Sequence, residues 1–159
     1  MKAITIGIFL MASALILQNC ALSQPGVGKT DAKGIRMTLQ NLAEIKNVEW
    51  ILQKMVQANK KIVLIKDSTV TFSYRGERKV AGKASINQYF GNFEMNDKGD
   101  ISWEKTKFGM TMMAGPPDLM SQETGYIKTL SATDRMYHLN STLVLENNDR
   151  SNLLQFKKK

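Results

Sequence analysis

The alternation of apolar and polar positions is clearest between Thr69 and Ile86, where its period is two residues. The first half alternates apolar Val70, Phe72 and Tyr74 with polar Thr69, Thr71 and Ser73. The second half places Val80, Gly82, Ala84 and Ile86 on a single face. Period two on both sides of Arg75-Gly76-Glu77 predicts a β-hairpin that turns at residues 75–77.

Other segments with strand-like patterns lie on both sides of this hairpin. They are Val48 to Met55, Lys61 to Lys66, Tyr89 to Met95, Ile101 to Met112, Arg135 to Leu139, Thr142 to Glu146 and Asn152 to Lys157. Clusters of Asn, Asp, Gly and Ser separate several of them and predict tight turns. Phe108, Met110 and Met112 are out of phase with Ile101 and Trp103, so we expect a bulge or break near Thr106.

Two segments have helix-like spacing. Residues 35, 39, 42 and 45 are apolar, which predicts a short helical segment that either packs on the domain or leads into it. Asp118 is the predicted N-cap of a second helix that runs to Leu130. Many strands, tight turns and one helix predict an α+β fold. We expect a single strongly curved antiparallel sheet of about seven to nine short strands, with one helix packed on it.

The N-terminus has the layout of a secretory signal. Lys2 precedes an uncharged apolar run from Ile4 to Leu17, and small or polar residues follow as far as Ser23. This run is shorter than the roughly 18 residues that a membrane-spanning helix needs. We therefore predict an exported protein with a signal peptide over residues 1–19, a tether or lead-in over 20–46 and a single domain over 47–159.

Cys20 is the only cysteine, and Leu17-Gln18-Asn19-Cys20 resembles the lipobox of bacterial lipoproteins. We predict that Cys20 is lipidated and anchors the chain to the bacterial membrane in the cell envelope. The alternative is cleavage after Ala21-Leu22-Ser23, which would release a secreted or periplasmic protein. In either case the mature chain has no intramolecular disulfide, so its roughly 135–140 residues depend on one buried core.

The chain is basic, with a formal net charge of +8 that falls to +7 when Lys2 is removed with the leader. The residues around the predicted hairpin tip are candidate contacts for an anionic polysaccharide or lipid headgroup: Arg75, Arg78, Lys79 and Lys83. A solvated strand face whose lysines protect a sheet edge is the alternative explanation. Because the protein is predicted to be exported and has no nucleic-acid motif, we expect no nucleic-acid partner.

The sequence offers little catalytic chemistry. His138 is the only histidine, which excludes a metal site built from several histidines. Residues 24–30 resemble a phosphate-binding loop. Ser23, however, occupies the position of the first glycine that the motif requires, so we interpret the segment as a linker. We therefore expect no catalytic residue, no metal and no cofactor, and predict that the protein is not an enzyme.

Two further groups of residues allow a binding interpretation beside a structural one. Met110, Met112, Met113 and Met120 form either a seam in the core under the helix or an adaptable apolar surface. Asn87, Tyr89, Phe90 and Asn92 form either a recognition strip on an exposed strand face or, for Asn87, a turn held by its side chain.

The order of these motifs resembles the META domain (HslJ-like) family. Trp50 lies in the first strand, and Gly82, Asn87, Phe90 and Gly91 correspond to the family's glycine- and asparagine-containing segment. Thr111 to Pro116, followed by Leu119-Met120 and Glu123, is similar to a second family segment, with Ala114 and Glu123 among the matching residues. The resemblance covers residues 48–156.

The chain departs from the family pattern at three positions. Ile86 and Gly115 stand where the family has cysteines, and Met112 replaces an arginine. If the two cysteines face each other in relatives, their joint loss is what a missing bridge would produce, and Ile86 then packs in place of sulfur.

The resemblance implies an exported or envelope-associated protein linked to stress or antibiotic tolerance, without an established catalytic activity. We therefore expect a role in envelope integrity or stress tolerance through contacts with another envelope component, whether an unknown envelope protein or an anionic polymer. A secreted or anchored basic module that binds anionic ligands is the alternative.

The lipobox-like segment generates a direct test. Intact-mass measurement of the protein from membrane fractions should give a mature chain that begins at an acylated Cys20, and Cys20→Ala should move the protein into the soluble fraction. A mass that begins at Gln24 would contradict lipidation.

Overall fold

Eleven short strands and one α-helix make up the part of the chain that the computed structural model describes, residues 34–103 and 108–159. The strands are β1 (Ile35–Arg36), β2 (Trp50–Gln57), β3 (Lys60–Ile62), β4 (Thr71–Gly76), β5 (Lys79–Lys83), β6 (Gln88–Met95), β7 (Ile101–Trp103), β8 (Gly109–Met110), β9 (Arg135–Leu139), β10 (Thr142–Glu146) and β11 (Leu153–Lys158). The helix is α1 (Pro117–Ser131), and Leu42–Ile45 forms a 3₁₀ turn. The predicted α+β fold on one antiparallel sheet is confirmed.

The strands form one antiparallel sheet in the order β1-β9-β10-β11-β2-β4-β5-β6-β7, with β3 paired to β2 and β8 paired to β6. The predicted β4–β5 hairpin is present, but its turn lies at Glu77 and Arg78, which have φ values of 50° and 60°. Two consecutive left-handed residues make the tight turn whose twist matches that of the flanking strands.

The core lies on one face of this sheet and under α1. Val70, Phe72 and Tyr74 all face it, as their period-two spacing predicts, and Tyr126 and Leu130 cover it from the helix. The larger buried set also includes Trp50, Met55, Tyr89, Phe93, Met136, Leu143, Leu154 and Phe156. Since every long strand contributes alternate residues to this layer, the hydrophobic effect fixes which face of each strand points inward.

The sheet curls until β7 meets the segment between α1 and β9. The Ile101 backbone N–H donates to the Asp134 carbonyl at 2.7 Å, and the Trp103 indole N–H donates to the Thr133 carbonyl at 2.9 Å. Near the same place Gly99 has a φ of 78°, and a Cβ there would lie 2.2 Å from the Met37 carbonyl oxygen. Only glycine satisfies both conditions.

Charged groups gather where the sheet ends come together. Arg36 on β1 pairs with Asp100 beside β7, Arg135 lies 3.5 Å from Asp134, and Arg150 lies 3.3 Å from Glu146. Burial raises the pKa of Glu146, and the nearby Arg135 partly opposes that rise. The Asn96 and Arg36 hydrogen bonds lower the pKa of Asp100.

The segment predicted as helical at residues 35–45 is instead β1 followed by the 3₁₀ turn. The Met37 backbone N–H donates to the Met136 carbonyl at 2.8 Å, so pairing with β9 takes the hydrogen bond that a helix would have used. Met37, Leu42 and Ile45 are buried in the core. Of the two alternatives for this segment, the structure shows packing on the domain, which begins before residue 47.

Two other predictions need correction, and several fall outside the described residues. The strand expected from Lys61 to Lys66 is limited to Lys60–Ile62. Pro116, not Asp118, is the N-cap of α1, because Pro117 at the first helical position has a fitting φ and no N–H to satisfy. The leader, Cys20, residues 24–30 and the expected break near Thr106 lie outside the described residues.

Residues 34–103 and 108–159 contain no helix long and apolar enough to cross a membrane.

Gly125 in α1 allows a paired test of this packing. A Cβ on Gly125 would have Gln57 Oε1 and the Met55 Cε at 3.8 and 3.9 Å, which is ordinary contact. Gly125→Ala should therefore raise the free energy of unfolding by about 0.5–1 kcal/mol in urea titrations, because alanine is the better helix former. Gly82→Ala is the matched control and should destabilise the protein, since its Cβ would lie 2.1 Å from the Thr71 carbonyl oxygen. A loss of stability in Gly125→Ala would contradict this packing.

Candidate functional site

A polar cleft of about 240 Å³ lies over strands β4, β5 and β6. Period-two alternation places Thr71, Ser73 and Arg75 on the face of β4 that is turned away from Phe72 and Tyr74. The pairing of Ser73 with Ala81 then puts β5 beside them. The lining residues are Glu49, Thr71, Ser73, Arg75, Ala81, Gly82, Lys83, Gln88 and Tyr89. We call this cleft the hairpin pocket.

Ser73 is the buried polar group of the hairpin pocket. Its side chain is 2% exposed, and its hydroxyl has no hydrogen-bond partner among the described residues. A buried hydroxyl without a partner costs about 1–3 kcal/mol of desolvation. A polar group of a ligand placed against Ser73 would remove that cost, so this residue favours binding of a molecule that can share a hydrogen bond.

The charges of the hairpin pocket favour an anion. Arg75 and Lys83 are exposed at its rim, and neither forms an ion pair with a carboxylate in residues 34–103 and 108–159. The one acidic lining residue, Glu49, is paired with the Lys159 ammonium at 3.3 Å. The two cations therefore dominate the local potential, because the opposing carboxylate already has a counter-ion.

Hydrogen bonds hold the walls of the hairpin pocket in place. The Thr71 hydroxyl accepts from the Lys83 backbone N–H at 2.9 Å, and the Thr71 carbonyl accepts from the Tyr89 hydroxyl at 3.0 Å. The Tyr89 and Tyr126 hydroxyls lie 2.7 Å apart, and burial raises the pKa of both phenols well above the ordinary value. They therefore stay protonated and serve as structural hydrogen-bond donors.

The structure separates the four basic residues that the sequence placed together. Arg75 and Lys83 line the hairpin pocket, as an anion-contact role requires. Arg78 instead pairs with Glu94, and Lys79 pairs with Glu77 at 2.7 Å. The predicted cluster is thus reduced to two residues, by one ion pair within the hairpin turn and one that joins the turn to β6.

Sequence reasoning missed the neutral polar residues of the pocket. Thr71 and Ser73 belong to the polar half of the alternation, which by itself indicates a solvent-facing surface, yet both are buried. The available signal was that Thr71 and Ser73 alternate with apolar residues and are followed by Arg75 on the same face. Glu49 comes to the pocket from the residue before β2, and Gln88 comes from β6, so no local pattern identifies them.

The family-motif residues are mainly structural. Trp50 is buried and meets the His138 ring edge-on, with centroids 5.5 Å apart. A Cβ on Gly91 would lie 2.4 Å from the Phe108 ring. Phe90 is 64% exposed, and the neighbouring Tyr89 takes the buried aromatic position instead. Ala114 is exposed as well.

Asn87 and Glu123 form a buried hydrogen-bond network, which we call the Asn87–Glu123 lock. One Glu123 carboxyl oxygen accepts from the Asn87 backbone N–H at 2.7 Å, and the other accepts from the Asn87 side-chain amide at 2.8 Å. The Asn87 side-chain amide oxygen accepts from the Met113 backbone N–H at 2.7 Å and from the Thr111 hydroxyl at 2.9 Å. Asn87 thus joins three chain segments rather than forming a recognition strip.

The positions of the absent family cysteines are neighbours. A Cβ on Gly115 would lie 2.3 Å from the Ile86 Cδ1, so the isoleucine occupies the space beside the glycine. Ile86 is only partly buried, which limits its packing role.

The methionine group is not a core seam. Met112 is 98% exposed, and Met113 and Met120 are exposed too, whereas Met110 packs against the core. Within the described residues, no group of three or more His, Cys, Asp or Glu side chains is placed to hold a metal ion.

The described residues form a small β-rich domain. It consists of a curled antiparallel sheet and one helix that the buried Asn87–Glu123 lock attaches to the sheet. The META domain model matches residues 40–159, and the chain belongs to the META domain family. No curated protein matches the sequence.

Solved structures show the same fold. An NMR structure of a protein from Burkholderia xenovorans is 20% identical, with a TM-score of 0.59, and the match covers 74% of this chain and 85% of that one. A DUF4847 family protein from Bacteroides vulgatus, solved by crystallography, is 11% identical with a TM-score of 0.51, covering 71% of this chain and 93% of that one. At these identities the comparison concerns the fold alone.

The Asn87–Glu123 lock predicts a coupled loss of stability. Asn87→Ala and Glu123→Ala should each lower the free energy of unfolding by about 1–3 kcal/mol, because each leaves buried groups without partners. The double variant should lose less than the sum, since both changes break the same bonds. Urea denaturation followed by circular dichroism measures this, with the exposed Thr124→Ala as a control expected to change little. Strictly additive losses would contradict the coupling.

Proposed function

We propose that this protein is an exported, non-enzymatic binding protein of the cell envelope, and that its META domain binds an anionic group of another envelope component. The observation that carries the proposal is the hairpin pocket, where Arg75 and Lys83 lie on either side of Ser73, whose buried hydroxyl has no hydrogen-bond partner among the described residues. Exposed cations without carboxylate partners attract anions, and a polar floor adds a directional contact.

The location proposed for this activity follows from the N-terminal sequence. Residues 1–19 direct export, and a lipid on Cys20 holds the domain at the bacterial membrane, where anionic polysaccharides and lipid headgroups are abundant. Binding to such a component would support envelope integrity or stress tolerance, the role that membership of the META family suggests. Cleavage after Ser23 would leave the same domain free in the periplasm or outside the cell.

A contact with an envelope protein is the second candidate. Phe90, Met112 and Met113 are large apolar side chains exposed to solvent near β6 and β8. Exposed apolar residues of this kind, methionine in particular, are common on adaptable protein-binding surfaces. The two candidates respond differently to salt, because screening weakens an exposed ionic contact and leaves an apolar one intact.

Charge-removing variants test the anion proposal. Arg75→Gln and Lys83→Gln should each weaken binding to an acidic polysaccharide such as polygalacturonate by about tenfold, since each removes a charge-assisted hydrogen bond. Arg78→Gln removes the same charge outside the pocket and should change affinity little. Biolayer interferometry at low and high salt measures both effects.

The outcome separates the candidates. Equal weakening by all three variants would show non-specific attraction to a basic surface and would contradict a role for the hairpin pocket. Binding to envelope extracts that is insensitive to salt and is lost in Phe90→Ser would favour the protein contact instead.

A further inference from the structure

We infer that the hairpin pocket takes a single acidic sugar unit, a six-membered polyhydroxy ring that carries one carboxylate. This inference rests on the proposed function and specifies the chemistry of its ligand. In the proposed pose the carboxylate lies between Arg75 and Lys83, and ring hydroxyls face Ser73 and Gln88. Three properties of the pocket support it: its size, the chemistry of its lining and its balance of charge.

The size of the hairpin pocket limits the ligand to one compact unit. Its volume is about 240 Å³. This is below the roughly 300–1,000 Å³ of pockets that enclose drug-sized molecules. A monosaccharide fits such a space, either free or as one unit of a chain that continues outside the cleft.

The lining is suited to hydroxyl groups. Hydroxyl and amide groups line the pocket, from Ser73, Thr71 and Gln88. The apolar part of its lining comes from Ala81, Gly82 and Tyr89. The Gln88 side chain can both donate and accept, and so can the Ser73 hydroxyl. A sugar hydroxyl also has both capacities, so it can supply the partner that Ser73 lacks within the described part of the chain. An acyl or aromatic group could not.

The balance of charge favours a single negative charge over two. Arg75 presents a planar fork that matches the two oxygens of a carboxylate, and Lys83 adds a second positive charge. Glu49 is neutralised only in part by its exposed ion pair with Lys159, so it still limits the negative charge that the rim accepts, and it can accept a hydrogen bond from a hydroxyl. A phosphate monoester, which carries close to two negative charges at neutral pH, is therefore less suited to this pocket than a uronate.

Calorimetric titration of the mature protein tests the inference with five probes. D-Galacturonate and D-glucuronate combine ring and carboxylate, glucose lacks the charge, acetate lacks the ring, and glucose 6-phosphate carries the larger charge. At least one uronate should bind tenfold or more tightly than each of the other three probes. Arg75→Gln should reduce uronate binding tenfold or more, with Arg78→Gln as the unaffected control.

Ser73→Ala separates a binding role from a structural one. Because the hydroxyl has no partner in the described structure, its removal should leave the melting temperature unchanged or raised, while uronate affinity falls several-fold. A purely structural serine would lower the melting temperature instead. Gln88→Ala, at an exposed position, provides a second variant that does not depend on the buried site and should also weaken uronate binding.

Each alternative result identifies what has failed. If acetate or glucose 6-phosphate binds as tightly as the uronates and the binding needs Arg75, the sugar inference is wrong and the anion-binding function stands. If no probe binds while polygalacturonate still binds in an Arg75-dependent manner, a single sugar unit is not the ligand. If neither the probes nor the polymer binds, the sugar inference and the proposed function both fail.

Discussion

The hydrogen bonds between Glu123 and Asn87 are the constraint on which the arrangement of the domain depends. They attach the middle of α1 to the turn between β5 and β6, and through Asn87 to the segment that follows β8. Gln122 extends this attachment, because its side chain accepts from the Ile65 N–H and donates to Ser85. The first half of the helix therefore docks through polar contacts, and the second half docks through Tyr126 and Leu130.

This attachment reaches the hairpin pocket by two routes. The first is the pair of tyrosines, since Tyr126 on the helix meets the Tyr89 hydroxyl, which in turn donates to the Thr71 carbonyl in the pocket wall. The second is the Thr111 hydroxyl, which donates to the Asn87 side chain and accepts from the Gln88 N–H. Buried, fully bonded networks are rigid. The pocket is thus built on a fixed frame, which reduces the entropy that a ligand must overcome on binding.

The strands were predictable because nearly every long strand has one face in the core. Period two is then imposed by burial, and the segments around Phe72, Tyr89, Leu143 and Leu154 show it directly. The segment at residues 35–45 was predicted incorrectly, because four apolar residues fit a helix as well as they fit a short strand and a 3₁₀ turn. The decisive factor there is pairing with β9, a long-range contact that local spacing does not encode.

The site was predictable only in part, for a related reason. Arg75 and Lys83 were identified by charge and Asn87 and Glu123 by family resemblance, but neither signal shows which residues touch. Arg78 is removed from the basic cluster by Glu94, which lies on a neighbouring strand, and Ser73 is buried by residues from elsewhere in the sheet. Contacts of this kind depend on strand register, and register emerges only when the sheet is assembled.

The last residue of the chain has a practical consequence for handling this protein. The Lys159 N–H donates to the Glu49 carbonyl at 3.1 Å, and its ammonium pairs with the Glu49 carboxylate on the rim of the hairpin pocket. Whatever follows Lys159, whether native or engineered, therefore starts at the mouth of the pocket. A polyhistidine tag or fluorescent fusion placed there would compete for the opening and disturb the Glu49 pair. Affinity handles and immobilisation chemistry belong ahead of Gly34, on a protein that starts after the predicted leader and Cys20.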